Sequence, residues 1–143
     1  MTRCLLAVLV AVALSACSGR SNPSAPAAPP AQVAGLWTAS MTVTGGTEMA
    51  AGSQYGAMFT LSQSAAQIGG SFSASGPGVA IWGGIVGTMT GSGFRFTLSQ
   101  ISPCPATFTG SGTVSANDST LMGSYSGTDC GGTVSTALVA TRE

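Results

Sequence analysis

The chain has 143 residues with four basic and four acidic side chains, so its formal net charge is zero and only 6% of its positions are charged. With no lysine and no histidine it offers no basic footprint for nucleic acid. The same lack removes the usual general bases and activated nucleophiles, so a non-catalytic, binding role is expected.

The first element, residues 1–16, joins Arg3 to an apolar stretch from Leu5 to Leu14 and ends on Ser15 and Ala16. A hydrophobic run of about ten residues is too short to span a bilayer, and a basic start followed by small residues is the pattern of an export signal. The next residue is Cys17, and "LSAC" resembles the lipobox of bacterial lipoproteins. That resemblance implies cleavage before Cys17, a diacylglycerol on its sulfur and an acylated amino terminus, hence a membrane as the first partner. Two or three acyl chains hold almost permanently where one holds weakly. Ser18 stands where an aspartate in the Gram-negative family favours inner-membrane retention, so the resemblance leans towards the outer membrane. The alternative is a plain secretory signal with an incidental cysteine.

Residues 17–32 continue as "CSGRSNPSAPAAPPAQ", rich in proline, alanine and serine and without apolar periodicity. Such a segment reads as a tether. At about 3.1 Å per residue in extended form it holds a domain roughly 40 Å from the membrane.

Residues 33–143 form the third region, with about 110 residues for one modest core and a periodicity of two throughout. Trp37, Ala39, Met41 and Val43 alternate with Thr38, Ser40, Thr42 and Thr44, a strand buried on one face. Similar alternation over Ala57–Gln63, Gln67–Ser75, Val79–Thr90, Phe94–Ile101, Ala106–Ser115, Ser119–Ser126 and Thr133–Arg142 predicts eight strands. The turns are short and rich in Gly, Ser, Asn and Asp, so sequence neighbours pair antiparallel as an up-and-down meander that closes into an all-β barrel. The phase of the fourth strand stays open, because Gly83 and Gly84 are placed to form a bulge that reverses its faces.

An apolar residue followed two places later by glycine recurs at Ile68, Ile85, Phe108 and Leu121, which puts glycines on the inner face where a small barrel alternates large and small residues. "FTLSQ" occurs at Phe59 and again at Phe96, suggesting duplicated hairpins. The interior is predicted to hold Met41, Phe59, Leu61, Phe72, Phe94, Phe96, Phe108, Tyr125 and Leu138.

Cys4 leaves with the signal and Cys17 takes the lipid, so Cys104 and Cys130 pair as a disulfide in an oxidising compartment. Two isolated thiols in a chain without histidine make no metal site. The pair falls in the connections after strands five and seven, which a meander places at the same end.

"GLWTAS" at Gly35 to Ser40 heads the first strand. A Gly-x-Trp there, before an eight-strand meander, resembles the calycin barrels, the group of lipocalins and streptavidin-like proteins. The resemblance implies that Trp37 packs at the closed end and that a late arginine, here Arg142, lies across it. Neither family's ligand set is matched, so no cofactor is implied.

The tether enters at the Trp37 end, so the opposite mouth carries the loops Gly45–Gly56, Gly76–Gly78, Ser102–Pro105 and Gly127–Gly132. Candidate binding residues there are Glu48, Met49, Tyr55, Trp82 and Asp129, with Trp82 alternatively a core or interstrand aromatic. Asp118 falls at the opposite end. Two roles follow: recognition of an envelope protein or component through the mouth loops of a filled barrel, or carriage of a small apolar ligand in a hollow one.

Overall fold

The computed structural model describes residues 28–76 and 78–143, so Cys17, the signal segment and most of the tether lie outside the described residues. Eight strands run in chain order: β1 (Gly35–Gly46), β2 (Gln54–Ser64), β3 (Gln67–Gly76), β4 (Val79–Thr90), β5 (Gly93–Ser102), β6 (Ala106–Val114), β7 (Thr120–Thr128) and β8 (Thr133–Arg142). Each pairs antiparallel with the next, and β1 pairs with β8 to close the barrel. This up-and-down barrel is compatible with a calycin-like fold.

Burial follows the alternation. All five phenylalanines, Phe59, Phe72, Phe94, Phe96 and Phe108, point inward, while Thr38, Ser40, Thr60, Ser71, Ser73, Ser99, Thr107 and Thr109 face out. A barrel that faces lipid reverses this arrangement, with apolar residues outside and polar ones within. The outer wall is mainly hydroxylated, with Leu36, Met58, Trp82, Val86, Ile101, Met122 and Val139 as exposed apolar side chains among the hydroxyls.

Closing so narrow a barrel over so many aromatic rings requires empty positions beside them. Phe72 stands opposite Gly83, Phe94 opposite Gly112, Phe96 opposite Gly110 and Phe108 opposite Gly127 in the register of neighbouring strands. Gly110 lies between Phe96 on β5 and Tyr125 on β7. A Cβ there would sit 2.4 Å from Phe96 Cζ and 2.5 Å from the Ser124 carbonyl oxygen, inside van der Waals contact on both sides. The glycines therefore make room both for the rings and for the sheet's own backbone as it coils.

The structure settles the phase left open for the fourth strand and corrects the reading of duplicated hairpins. The bulge near Gly83 lies on β5: Trp82 pairs with Ser102 and Gly83 with Gln100, leaving Ile101 as the extra residue. β4 consequently keeps one phase, with Ile85 and Met89 buried within and Trp82 half exposed on the outer wall. Trp82 belongs to neither mouth nor core. The two "FTLSQ" copies lie on β2 and β5, which run in opposite directions, whereas hairpins copied in tandem put equivalent strands in the same direction.

The closed end is sealed by the residues just before β1. Ala31 donates its N–H to the Gly91 carbonyl at 2.9 Å, and Gln63 clamps the strap, accepting from Val33 N–H at 2.7 Å and donating to Ala31 O at 3.0 Å. Trp37 is 0% exposed and its indole N–H donates to Val33 O at 2.8 Å. The Arg142 guanidinium lies 4.8 Å above the Trp37 ring and donates to Gln32 O. Asp118, at this end, accepts from Gln32 N–H. The chain is thus held to the barrel from Ala31 onward.

Because backbone as well as a ring blocks its inner face, Gly110→Ala is expected to destabilise the protein by about 3 kcal/mol in urea unfolding. Gly84→Ala, where a Cβ meets nothing nearer than 3.8 Å, is expected to change stability by less than about 0.5 kcal/mol.

Candidate functional site

Four of the five candidate mouth residues come together. Glu48 and Met49 ride on the β1–β2 loop, Tyr55 points inward from β2, and Asp129 begins the β7–β8 loop; all four line one cavity with Met41, Gln100, Tyr125 and Thr136. Tyr55 belongs to a strand rather than to the loop, because β2 begins at Gln54. Trp82 stands outside.

The loops hold one another. Thr47 and Glu48 both donate N–H groups to the Thr133 carbonyl, and Thr133 N–H donates to Thr47 Oγ1 at 3.0 Å. This lays the β1–β2 loop on the β7–β8 loop, where the Glu48 side chain covers Gly131 so closely that a Cβ at that glycine would reach 2.6 Å from Glu48 Cγ. Glu48 is thereby aimed at Asp129. Burial, then repulsion from Asp129 and a hydrogen bond with it, push the Glu48 carboxyl above its ordinary 4.5.

Asp129 is itself set by three contacts. Its Oδ1 accepts the Gly131 N–H at 2.8 Å, its Oδ2 faces the Gln100 amide nitrogen at 3.4 Å, and the Cys104–Cys130 disulfide stands beside it with Cα atoms 6.4 Å apart. That disulfide ties the β5–β6 loop to the β7–β8 loop, both at the mouth. Cys104, Cys130 and Asp129 lie within metal-ligand distance of one another, but the sulfurs are bonded together and unavailable as thiolates.

Below the rim the polar groups are largely spent on each other. Tyr55 donates its hydroxyl to Met49 Sδ, and Tyr125 donates to Met41 Sδ at 3.4 Å. Burial is the main cause that raises the Tyr125 hydroxyl above 10.0, with a Thr136 hydrogen bond opposing, so the phenol stays a donor at neutral pH. Gln100, 5% exposed, donates to Cys104 O at 3.0 Å.

Gln100, Met41, Tyr125 and Thr136 are the mouth residues that the sequence-based reading did not name as binding candidates. Gln100 carried a usable signal: it follows Phe94, Phe96 and Leu98 in the inward phase, a polar side chain where an apolar one belongs. In the two copies of "FTLSQ" the final glutamine performs the same task at opposite rims, Gln63 binding the strap backbone and Gln100 the Cys104 carbonyl.

The cavity under these residues is about 30 Å³, and a second one around Trp37, Phe59 and Phe94 at the closed end is about 20 Å³. A single water needs roughly 10–15 Å³ on this measure, so the first has room for about two waters. No protein-family model and no curated protein matches the chain, so no relative supplies a ligand or a partner.

Since the folded Glu48 binds its proton more tightly than an exposed glutamate does, the folded state loses stability as pH rises from about 4.5 through the raised value. Asp129, Tyr55 and Tyr125 share the cavity with it, and burial, which raises the Tyr125 hydroxyl, keeps that phenol protonated across the window. Urea midpoints of the wild type are therefore expected to fall over this range, and those of Glu48→Gln to fall less. Removing the disulfide with Cys104→Ala and Cys130→Ala is expected to cost about 3 kcal/mol on the chain-entropy account, read from the same unfolding curves.

Proposed function

We propose that the chain is a lipid-anchored binding protein of a bacterial envelope, held through Cys17 and engaging an envelope protein through its mouth loops, without catalysis. The observation that carries this reading is the filled interior. Pockets for drug-sized ligands run to about 300–1,000 Å³, an order of magnitude above the roughly 30 Å³ beneath the mouth. A carrier of a small apolar molecule would need a hollow that the packed phenylalanines do not leave, so recognition falls to the rim.

Polarity along the barrel axis supports the same reading. The chain joins the barrel at Ala31, at the closed end, while the disulfide-pinned loops lie at the other. An anchor at Cys17 followed by about 40 Å of extended tether turns the sealed end to the membrane and the mouth away from it. Ser18, in place of the aspartate of inner-membrane retention, favours the outer membrane.

Two measurements test this. Cys17→Ala is expected to release the protein from the membrane fraction of its own cells; retention would sink the anchor. A photo-crosslinking residue replacing the exposed loop residue Ala50 is expected to yield one discrete protein adduct in intact cells, and the same group at Thr109 on the outer wall none. Equal labelling from both positions, or a small molecule retained in native mass spectra, would overturn docking through the mouth.

A further inference from the structure

The outer wall carries a feature that the filled interior does not call for. Trp82 on β4 is 50% exposed and Met58 on β2 is 49% exposed. Register places Met58 opposite Ser73 and Ser73 opposite Trp82, so the two large side chains flank β3 across two strand spacings, or roughly 10 Å. Between them β3 turns Ser71, Ser73 and Ser75 outward, about 6.6 Å apart along the strand. Met58, Ser73, Ser75 and Trp82 line a groove of about 430 Å³.

Its surroundings are kept low where the barrel does not require it. A Cβ at Gly56, opposite Ser75, would meet nothing within 4 Å, and one at Gly84, opposite Ser71, nothing nearer than 3.8 Å. Neither glycine has a positive φ, so both packing and backbone would admit a side chain, in contrast to Gly110. The small residues here shape the surface rather than the core.

Size and charge narrow the occupant. No charged side chain lines the groove; Glu143 stands at its edge, accepting from the Thr38 hydroxyl. A stable protein interface covers about 800 Å² on each partner, more than Trp82, Met58 and the neighbouring bulge residue Ile101 anchor, since a whole tryptophan buries only about 150–250 Å². β3 is also an inner member of a closed barrel, paired on both sides, so no peptide strand adds to it. What fits is small, uncharged and hydroxylated. Serine hydroxyls donate and accept as sugar hydroxyls do, and the electron-rich face of an indole attracts the C–H face of a pyranose ring.

We propose that this groove binds an uncharged glycan chain, with one pyranose ring stacked on Trp82 and the next rings running along Ser71, Ser73 and Ser75. A β-linked chain is the form that follows a straight strand, because its equatorial links keep the rings in an extended ribbon, whereas α links curl it. This site goes beyond docking through the mouth and does not depend on it.

The test uses the full-length protein in lipid nanodiscs. Because Trp37 is 0% exposed, iodide quenches the fluorescence of Trp82 selectively. At least one of chitotetraose and cellotetraose is expected to shield Trp82 saturably, about tenfold tighter than its own monosaccharide, and maltotetraose to shield it weakly. By calorimetry, Trp82→Ala is expected to weaken binding about tenfold or more, as loss of a stacked aromatic does. Gly56→Thr is expected to weaken it severalfold at an unchanged urea midpoint, and Met122→Ala, on the wall outside the groove, to leave it as it was. Absence of shielding by both β-linked chains, equal affinity for a monosaccharide or maltotetraose, or unchanged affinity in Trp82→Ala or Gly56→Thr would each overturn the proposal. Shielding that grows with protein concentration in the absence of sugar would assign the groove to a second copy of the chain and overturn it as well.

Discussion

The structure depends on a constraint of volume. Eight strands rolled into one barrel leave an interior only as wide as its inward side chains can fill, and this chain sends five phenylalanines, two tyrosines and a tryptophan into it. Rings of that size fit only where the neighbouring strand offers nothing, and glycines stand at those positions. Gly110, pressed between Phe96 and Tyr125, shows the arrangement most clearly: backbone coiling and ring packing both occupy the space of its absent side chain. The result is a barrel closed around its own core.

A filled centre moves the informative chemistry to the rims, and the rims differ in polarity. At the sealed end the Trp37 indole meets Val33, Arg142 and Asp118 meet Gln32, and Gln63 fastens the strap from both its amide atoms, while Arg142 Nε is buried without a hydrogen-bond partner. At the mouth the contacts are of another kind. The Tyr–Met pairs consume the hydroxyls, the disulfide and Gln100 hold the loop backbone, and two carboxyls are left facing each other under a loop that Thr47 pins to Thr133. Repelling charges are kept side by side only where surrounding contacts impose it.

Much of this was legible in the residues themselves. The alternation of Trp37, Ala39, Met41 and Val43 against hydroxyls fixes which face is buried, because side chains on a strand change sides at every step. A meander with Cys104 and Cys130 in alternate connections puts both at one end, as observed. Trp82 was not legible: an aromatic beside two glycines reads equally as core, rim or outer wall, and the bulge that settles its neighbourhood belongs to Ile101 on the next strand. Nor could the repeat "FTLSQ" reveal that its two glutamines serve opposite rims, since strand direction is a property of the assembled sheet.

The sequence by itself determined the strand count, the inward face of most strands, the pairing of the cysteines and which loops share the mouth, all of which follow from period-two alternation and chain order. Tertiary structure alone decided that the interior is full, that Trp82 faces out, and that Glu48 lies against Asp129 above Gln100. Those outcomes depend on register, bulge position and the leaning of one loop upon another, and such relations between strands distant in sequence leave no periodic trace in any one of them.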